Sequence, residues 1–137
     1  MELLLPVLLY YYAQISSGNV SPELIRDYAI VESLVANVDP QLVISVIKNE
    51  SGFNPKALNL NDMAKGCHSR GLVQIRSCNH KVTDEEAYNP IFAVNFLIKN
   101  IDKCKTWWRN TCFIPKSSPK ASQRATEPIK SLLLDDS

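Results

Sequence analysis

The chain is limited first by what it lacks. Its 137 residues include 15 basic and 14 acidic side chains, a net charge of +1. That balance leaves no basic face of the kind nucleic acid requires, so no nucleic-acid partner is expected. No internal repeat and no heptad run is present, which excludes repeat arrays and long coiled coils. The first fifteen residues, MELLLPVLLYYYAQI, are apolar but contain no Lys or Arg. An export signal normally has a basic start and a small-residue cleavage site, and Ala13 to Gly18 supplies only a loose one. The stretch is also shorter than the roughly 20 apolar residues of a membrane-spanning helix. For residues 1–20 two readings stand, an export signal or a packed N-terminal helix. Membrane contact is expected through this segment alone.

What is present describes one folded domain. Hydrophobic residues make up 45% and charged residues 21%, a globular rather than a disordered balance. The length suits a single core. Four cysteines fall in two close pairs, Cys67 with Cys78 and Cys104 with Cys112. Three pairings are possible, and the two local ones are preferred because each closes a short loop. Each bridge would contribute about 2–3 kcal/mol by restricting the unfolded chain. Disulfides in turn place the protein in an oxidising compartment, exported to the cell envelope or beyond. Reduced, buried cysteines in the cytoplasm are the plain alternative. A zinc site from Cys67, His68, Cys78 and His80 ranks last, because the spacing lacks paired ligands. No metal or cofactor is expected.

Helix signals recur along the chain. Ser21 followed by Pro22 and Glu23 has the form of an N-cap and first turn, with a helix running to about Asn37. Asp39-Pro40 repeats the signal before a second helix, from Gln41 to Ser51, which is apolar nearly all round and so buried. Gly52 and Pro55 end it. Residues 54–70 are polar and turn-forming and read as a long surface loop. Residues 71–76, GLVQIR, read as a short strand or a tight turn. Thr83 to Glu86 forms a capping box, and Asn89-Pro90 opens a third strong helix through Ile101. Residues 115–128 are rich in Ser, Lys and Pro, so residues 115–137 read as a disordered tail. The domain proper is then 21–114.

Val43, Val46, Ile47 and Glu50 fall at i, i+3, i+4 and i+7 of the second helix, which puts a carboxylate at the end of an apolar stripe. Burial and a helix C-terminus both disfavour its ionised form. A carboxylic acid that keeps its proton at neutral pH can give it to a leaving oxygen. On spacing alone the plainer reading is favoured, in which the helix ends at Lys48 and Glu50 points into water.

The surrounding residues favour the chemical reading. VDPQLVISVIKNESGFNPKA, then SRGLVQI, then AYNPIFAVNFLIKNI resembles the soluble lytic transglycosylase domain, a branch of the goose-type lysozyme superfamily. The likeness runs from about Tyr28 to Ile101. It implies a mainly α, lysozyme-like α+β fold with a short strand or turn region at the cleft. It also implies a monomeric enzyme acting on peptidoglycan glycan strands. By this resemblance Glu50 is the catalytic acid and base, and Ser51 helps order the site. Gly71, Leu72 and Gln74 wall the saccharide cleft, with Gln74 as a hydrogen-bonding side chain. The plain alternatives are a C-cap for Ser51, a turn for Gly71 and a solvent-facing position for Gln74.

Departures from the family pattern are as specific. Asn59 stands where a substrate-contacting serine is usual. The family's later Tyr-Asn-Ala-Gly motif, whose tyrosine contacts the catalytic glutamate, is absent, and Tyr88 lies before the third helix rather than after it. In its place the segment CKTWWRNTC, residues 104–112, offers Trp107 to stack on a sugar ring, while at least one tryptophan is expected to fill the core. A hydrolase generally needs a second carboxylate, and Asp62 is the candidate, with turn chemistry as its plain reading. A lytic transglycosylase needs only Glu50, because the muramyl C6 hydroxyl attacks within the same molecule. Transglycosylation is the favoured reading, with hydrolysis by Glu50 and Asp62, or glycan binding without catalysis, as alternatives.

Overall fold

The computed structural model describes residues 3–60 and 66–112. Helices dominate them, as the fold class requires. Helix α1 is Leu4–Ser16, α2 is Pro22–Val35 and α3 is Pro40–Ser51, followed by three short strands. The expected signals start the second and third helices. The Ser21 hydroxyl accepts from the Leu24 N–H at 3.2 Å, and the Asp39 carboxylate accepts from the Gln41 N–H at 2.9 Å. A proline takes the first position of each, where its missing N–H is not needed. Gly52 closes α3 in the left-handed region at φ 61, with its N–H on the Lys48 carbonyl.

The N-terminal segment is a helix packed on α2 and on a later helix, α5 (Pro90–Lys99), burying Leu8 and Ile15. The hydroxyls of Tyr12 on α1 and Tyr28 on α2 both donate to the buried carboxylate of Glu32, at 2.9 and 2.6 Å. Asn95 of α5 donates to the same oxygen. Burial comes first, and the Glu32 carboxylate second, in raising the Tyr28 pKa, so the phenol keeps the proton it donates. No helix among the described residues is long and apolar enough to cross a membrane.

The stretch read as a loop from 54 to 70 contains two strands. β1 (Leu58–Asn59), β2 (Ser69–Arg70) and β3 (Ile75–Arg76) form an antiparallel sheet in that order, with Leu58 opposite Arg70 and Arg70 opposite Ile75. Arg70 anchors it from inside. At 2% exposure it donates to the carbonyls of Ile75 and Val82 and to the Asp84 carboxylate at 2.7 Å. These bonds tie the sheet to α4 (Asp84–Tyr88), whose capping box between Thr83 and Glu86 forms in both directions. Between β2 and β3 the chain turns over residues 71–74.

α5 (Pro90–Lys99), a 3-10 turn, α6 (Cys104–Trp107) and α7 (Arg109–Cys112) complete the described chain. The core joins Ile25, Tyr28, Val43, Ile47, Leu72, Val94 and Leu97, all fully buried. Cys67 is bonded to Cys78 and Cys104 to Cys112, with Cα separations of 5.3 and 5.6 Å. The first bridge brackets β2 and β3, and the second fastens α6 to α7. The first bridge takes up both thiols that the zinc alternative of Cys67, His68, Cys78 and His80 would need. Residues 115–137 lie outside the described residues.

Candidate active site

α3 does not stop at Lys48; it runs to Ser51 and carries Glu50 in its last turn. Val43, Val46 and Ile47 are fully buried on the same stripe. Glu50 is only half-buried, at the wall of a hollow of about 600 Å³. It has no hydrogen bond or ion pair with another described residue, so nothing compensates the water it has lost. Burial alone pushes its pKa up to about 7. The carbonyl end of α3 acts in the same direction. Near neutral pH this carboxyl is therefore poised between acid and base, as a group must be that gives and then recovers a proton.

The sheet makes one side of the hollow. Asn59, Ser69, Gln74 and Arg76 line it. Gln74 sits at φ 55, an uncommon backbone for a non-glycine residue, and its amide nitrogen donates to the carbonyls of Gly71 at 3.0 Å and Ala57 at 3.3 Å. Its side chain is thus fixed by the turn that carries it. Leu72 and Gly71 do not line the hollow. Leu72 is in the core, and Gly71 is buried with its backbone against the Ala87 carbonyl of α4. These two residues lie behind the wall, next to the turn that carries Gln74. Ser51 is likewise not among the lining residues, and its hydroxyl donates back to the Ile47 carbonyl at 3.1 Å.

Residues 106–110 of the disulfide-closed segment line the hollow as well. The two tryptophans divide the expected roles. Trp108 is 3% exposed and donates its indole N–H to the Val73 carbonyl at 2.8 Å, which locks α6 and α7 to the turn behind Gln74. Trp107 is half-buried and lines the hollow. Its ring lies nearly parallel to Phe96, at 14° and 6.0 Å, with the edge of His80 at 4.4 Å. Lys103 lies 4.7 Å above the Trp107 ring. Burial, then the charges of Lys103 and Arg70, push the His80 pKa down. The Asn49 side chain donates to the Thr111 hydroxyl at 2.9 Å and pins α7 beside the Glu50 end of α3.

Tyr88 does not supply a phenol to Glu50. It lines a separate hollow with Ile15 and Pro90. Asp62 lies outside the described residues. Arg76, His80, Phe96 and Arg109 also line the cleft without having been read as site residues. Arg76 and His80 follow Gln74 closely, and Arg109 is the neighbour of the tryptophan pair. That proximity was the only available signal.

A pH dependence follows from the one resolved shift in the acid. The protonated form of Glu50 is the proton donor, and it is lost as pH rises through about 7. Any reaction that draws on this proton should therefore fall on an alkaline limb with its midpoint near that value. A profile flat through neutrality, with loss only in the ordinary carboxylate range, would contradict a buried acid.

Residues 27–113, well over half of the chain, match the transglycosylase SLT domain. No curated protein and no solved structure matches the chain.

Proposed function

Because the chain belongs to the transglycosylase SLT domain family, we propose that it is a peptidoglycan lytic transglycosylase. It cleaves the β-1,4 bond between N-acetylmuramic acid and N-acetylglucosamine. The observation that carries this reading is Glu50, half-buried at the wall of an open cleft with its pKa raised to about 7. Glu50 gives its proton to the glycosidic oxygen as the C1–O bond breaks, and positive charge develops at C1 and the ring oxygen. The muramyl C6 hydroxyl then attacks C1 and returns its proton to the Glu50 carboxylate. The products are a 1,6-anhydro end and a free 4-hydroxyl, with no water consumed. Intramolecular attack gains the large effective concentration of a tethered nucleophile.

The remaining roles follow the chemistry of the lining. With its nitrogen bonded to the main chain, Gln74 has its amide oxygen left for a sugar hydroxyl. Asn59 extends the polar side, and the half-buried Trp107 adds apolar surface against which a pyranose ring can lie. Ser51, Gly71 and Leu72 act by fixing α3 and the turn. Two disulfides accord with an exported protein working in the envelope.

Loss of turbidity in a suspension of purified cell walls tests the activity. Asp62→Asn separates the two mechanisms. It should lower the rate little if Glu50 alone carries both proton transfers. A hydrolase that relied on Asp62 as its second carboxylate would instead be crippled.

A further inference from the structure

Both disulfides close segments that line the cleft. Residues 67–78 bring Ser69, Gln74 and Ile75 to the hollow, and residues 104–112 bring Trp107 and its neighbours. The helices that supply most of the core lie outside both loops. Ile25 and Tyr28 come from α2, Val43 and Ile47 from α3, and Val94 and Leu97 from α5.

The Cys104–Cys112 loop is the less able of the two to hold itself. Its helices α6 and α7 have four residues each, far below the length at which a helix persists alone in water. Side-chain hydrogen bonds cross from it to the rest of the domain, from the Trp108 indole to the Val73 carbonyl at 2.8 Å and from Asn49 to the Thr111 hydroxyl at 2.9 Å. Both reach immediate neighbours of the cleft residues, since Asn49 adjoins Glu50 and Val73 adjoins Gln74. The bridge removes the looser conformations in which these ties are unmade. It is also open to exchange at one end, because Cys112 is half-buried while Cys104 is buried.

We propose that Cys104–Cys112 is a redox gate on the cleft. Oxidised, it holds Trp107 and α7 in place; reduced, it leaves the domain folded with this lining loose and cleavage lost. The gate goes beyond the glycan-cleaving reading, and its activity readout rests on that reading. The reductant is a dithiol, either a small molecule or an exchange protein. One of its thiolates attacks the Cys112 sulfur, so an intermolecular S–S bond forms as the Cys104–Cys112 bond breaks and Cys104 leaves as a thiolate. The second thiolate of the reductant then attacks its own sulfur in that mixed disulfide and releases Cys112. Two electrons pass to the protein, the reductant ends as a disulfide, and its two protons end on Cys104 and Cys112. A chain made in a reducing compartment is thereby held inactive until an oxidising one closes the bond.

The test equilibrates the intact protein at a series of ratios of reduced to oxidised dithiothreitol, with free thiols counted at each point. Wall turbidity, far-UV circular dichroism and tryptophan fluorescence are read on the same samples. Trp107 and Trp108 are the only tryptophans in the sequence, so their emission reports this segment alone. On reduction, cleavage should fall by about 10²-fold, as a small misplacement of positioning groups provides. Helix content should stay near its oxidised value, emission should shift to the red as the indoles gain water, and reoxidation should restore all three. Cys104→Ser/Cys112→Ser should behave as permanently reduced protein. Cys67→Ser/Cys78→Ser should keep the redox dependence of the tryptophan signal. Full activity in Cys104→Ser/Cys112→Ser would overturn the gate, and so would activity lost only together with helix content. An oxidised protein that cleared no walls would overturn the glycan reading instead. The gate would then be decided by fluorescence, and an emission unchanged by reduction would overturn it.

Discussion

Glu50→Gln is expected to abolish cell-wall cleavage while the protein stays folded. The amide has nearly the same size and shape as the acid, so the end of α3 keeps its packing against α7. It has no proton to give the glycosidic oxygen, and general acid–base catalysis is worth about 10²–10⁴-fold, so turbidity loss should slow by at least that factor. Stability should move in the opposite direction. The folded pKa of about 7 lies above the ordinary carboxylate value, so between the two the folded state binds more protons than the unfolded one. Glu50 therefore costs stability progressively as pH rises through that window, and the full cost persists above it. The Gln variant escapes this cost. Above neutrality it should be more stable by something on the order of 1 kcal/mol, a modest gain because part of the carboxyl still meets solvent. Thermal melts on either side of the window would show it. A variant that melts lower and is inactive would speak for a structural role instead.

Gly71→Ala should damage the fold behind the cleft wall, as the methyl has no room there. Gly71 has φ 81, in the left-handed region, and a β-carbon there would collide with the Ala87 carbonyl oxygen. That oxygen belongs to the α4 backbone and cannot swing aside as a side chain would. Backbone strain and overpacking together should cost about 2–4 kcal/mol. The melting temperature should then fall by about 10 °C in a domain of this size. Because the Gln74 amide is held by the Gly71 and Ala57 carbonyls, movement here should also loosen the cleft wall and slow cleavage in the protein that remains folded. Circular dichroism melts and wall turbidity on the same preparation would separate the two effects. An unchanged melting temperature would mean that the turn does not press on α4 as described.

Glu50 also marks where the amino-acid sequence is most legible. Asp39-Pro40 and Gly52 bound α3 at both ends, and within those bounds an apolar stripe leads to Glu50 with little freedom to shift. The 3.6-residue period works because the helix is twelve residues long. The strands β1, β2 and β3 have two residues each, too few for any alternation to register, and so 54–70 reads as loop. Arg70 is hidden for a related reason. Its burial depends on Val82 and Asp84, more than ten positions away, and an arginine in a polar stretch reads as surface. The tryptophan pair signals its importance but not its division. Which indole enters the core is decided by the Val73 carbonyl, 35 residues earlier.

The most direct test of the central assignment is mass spectrometry of the fragments released from purified peptidoglycan. If Glu50 protonates the bond and then accepts the proton of the muramyl C6 hydroxyl, every new muramyl end is a 1,6-anhydro sugar. That end is one water lighter than a hydrolytic product and resists borohydride reduction. Glu50→Gln should release no such fragments. Reducing muramyl ends as the main product, formed at the rate of wall clearing, would contradict the account and point to hydrolysis with a second carboxylate.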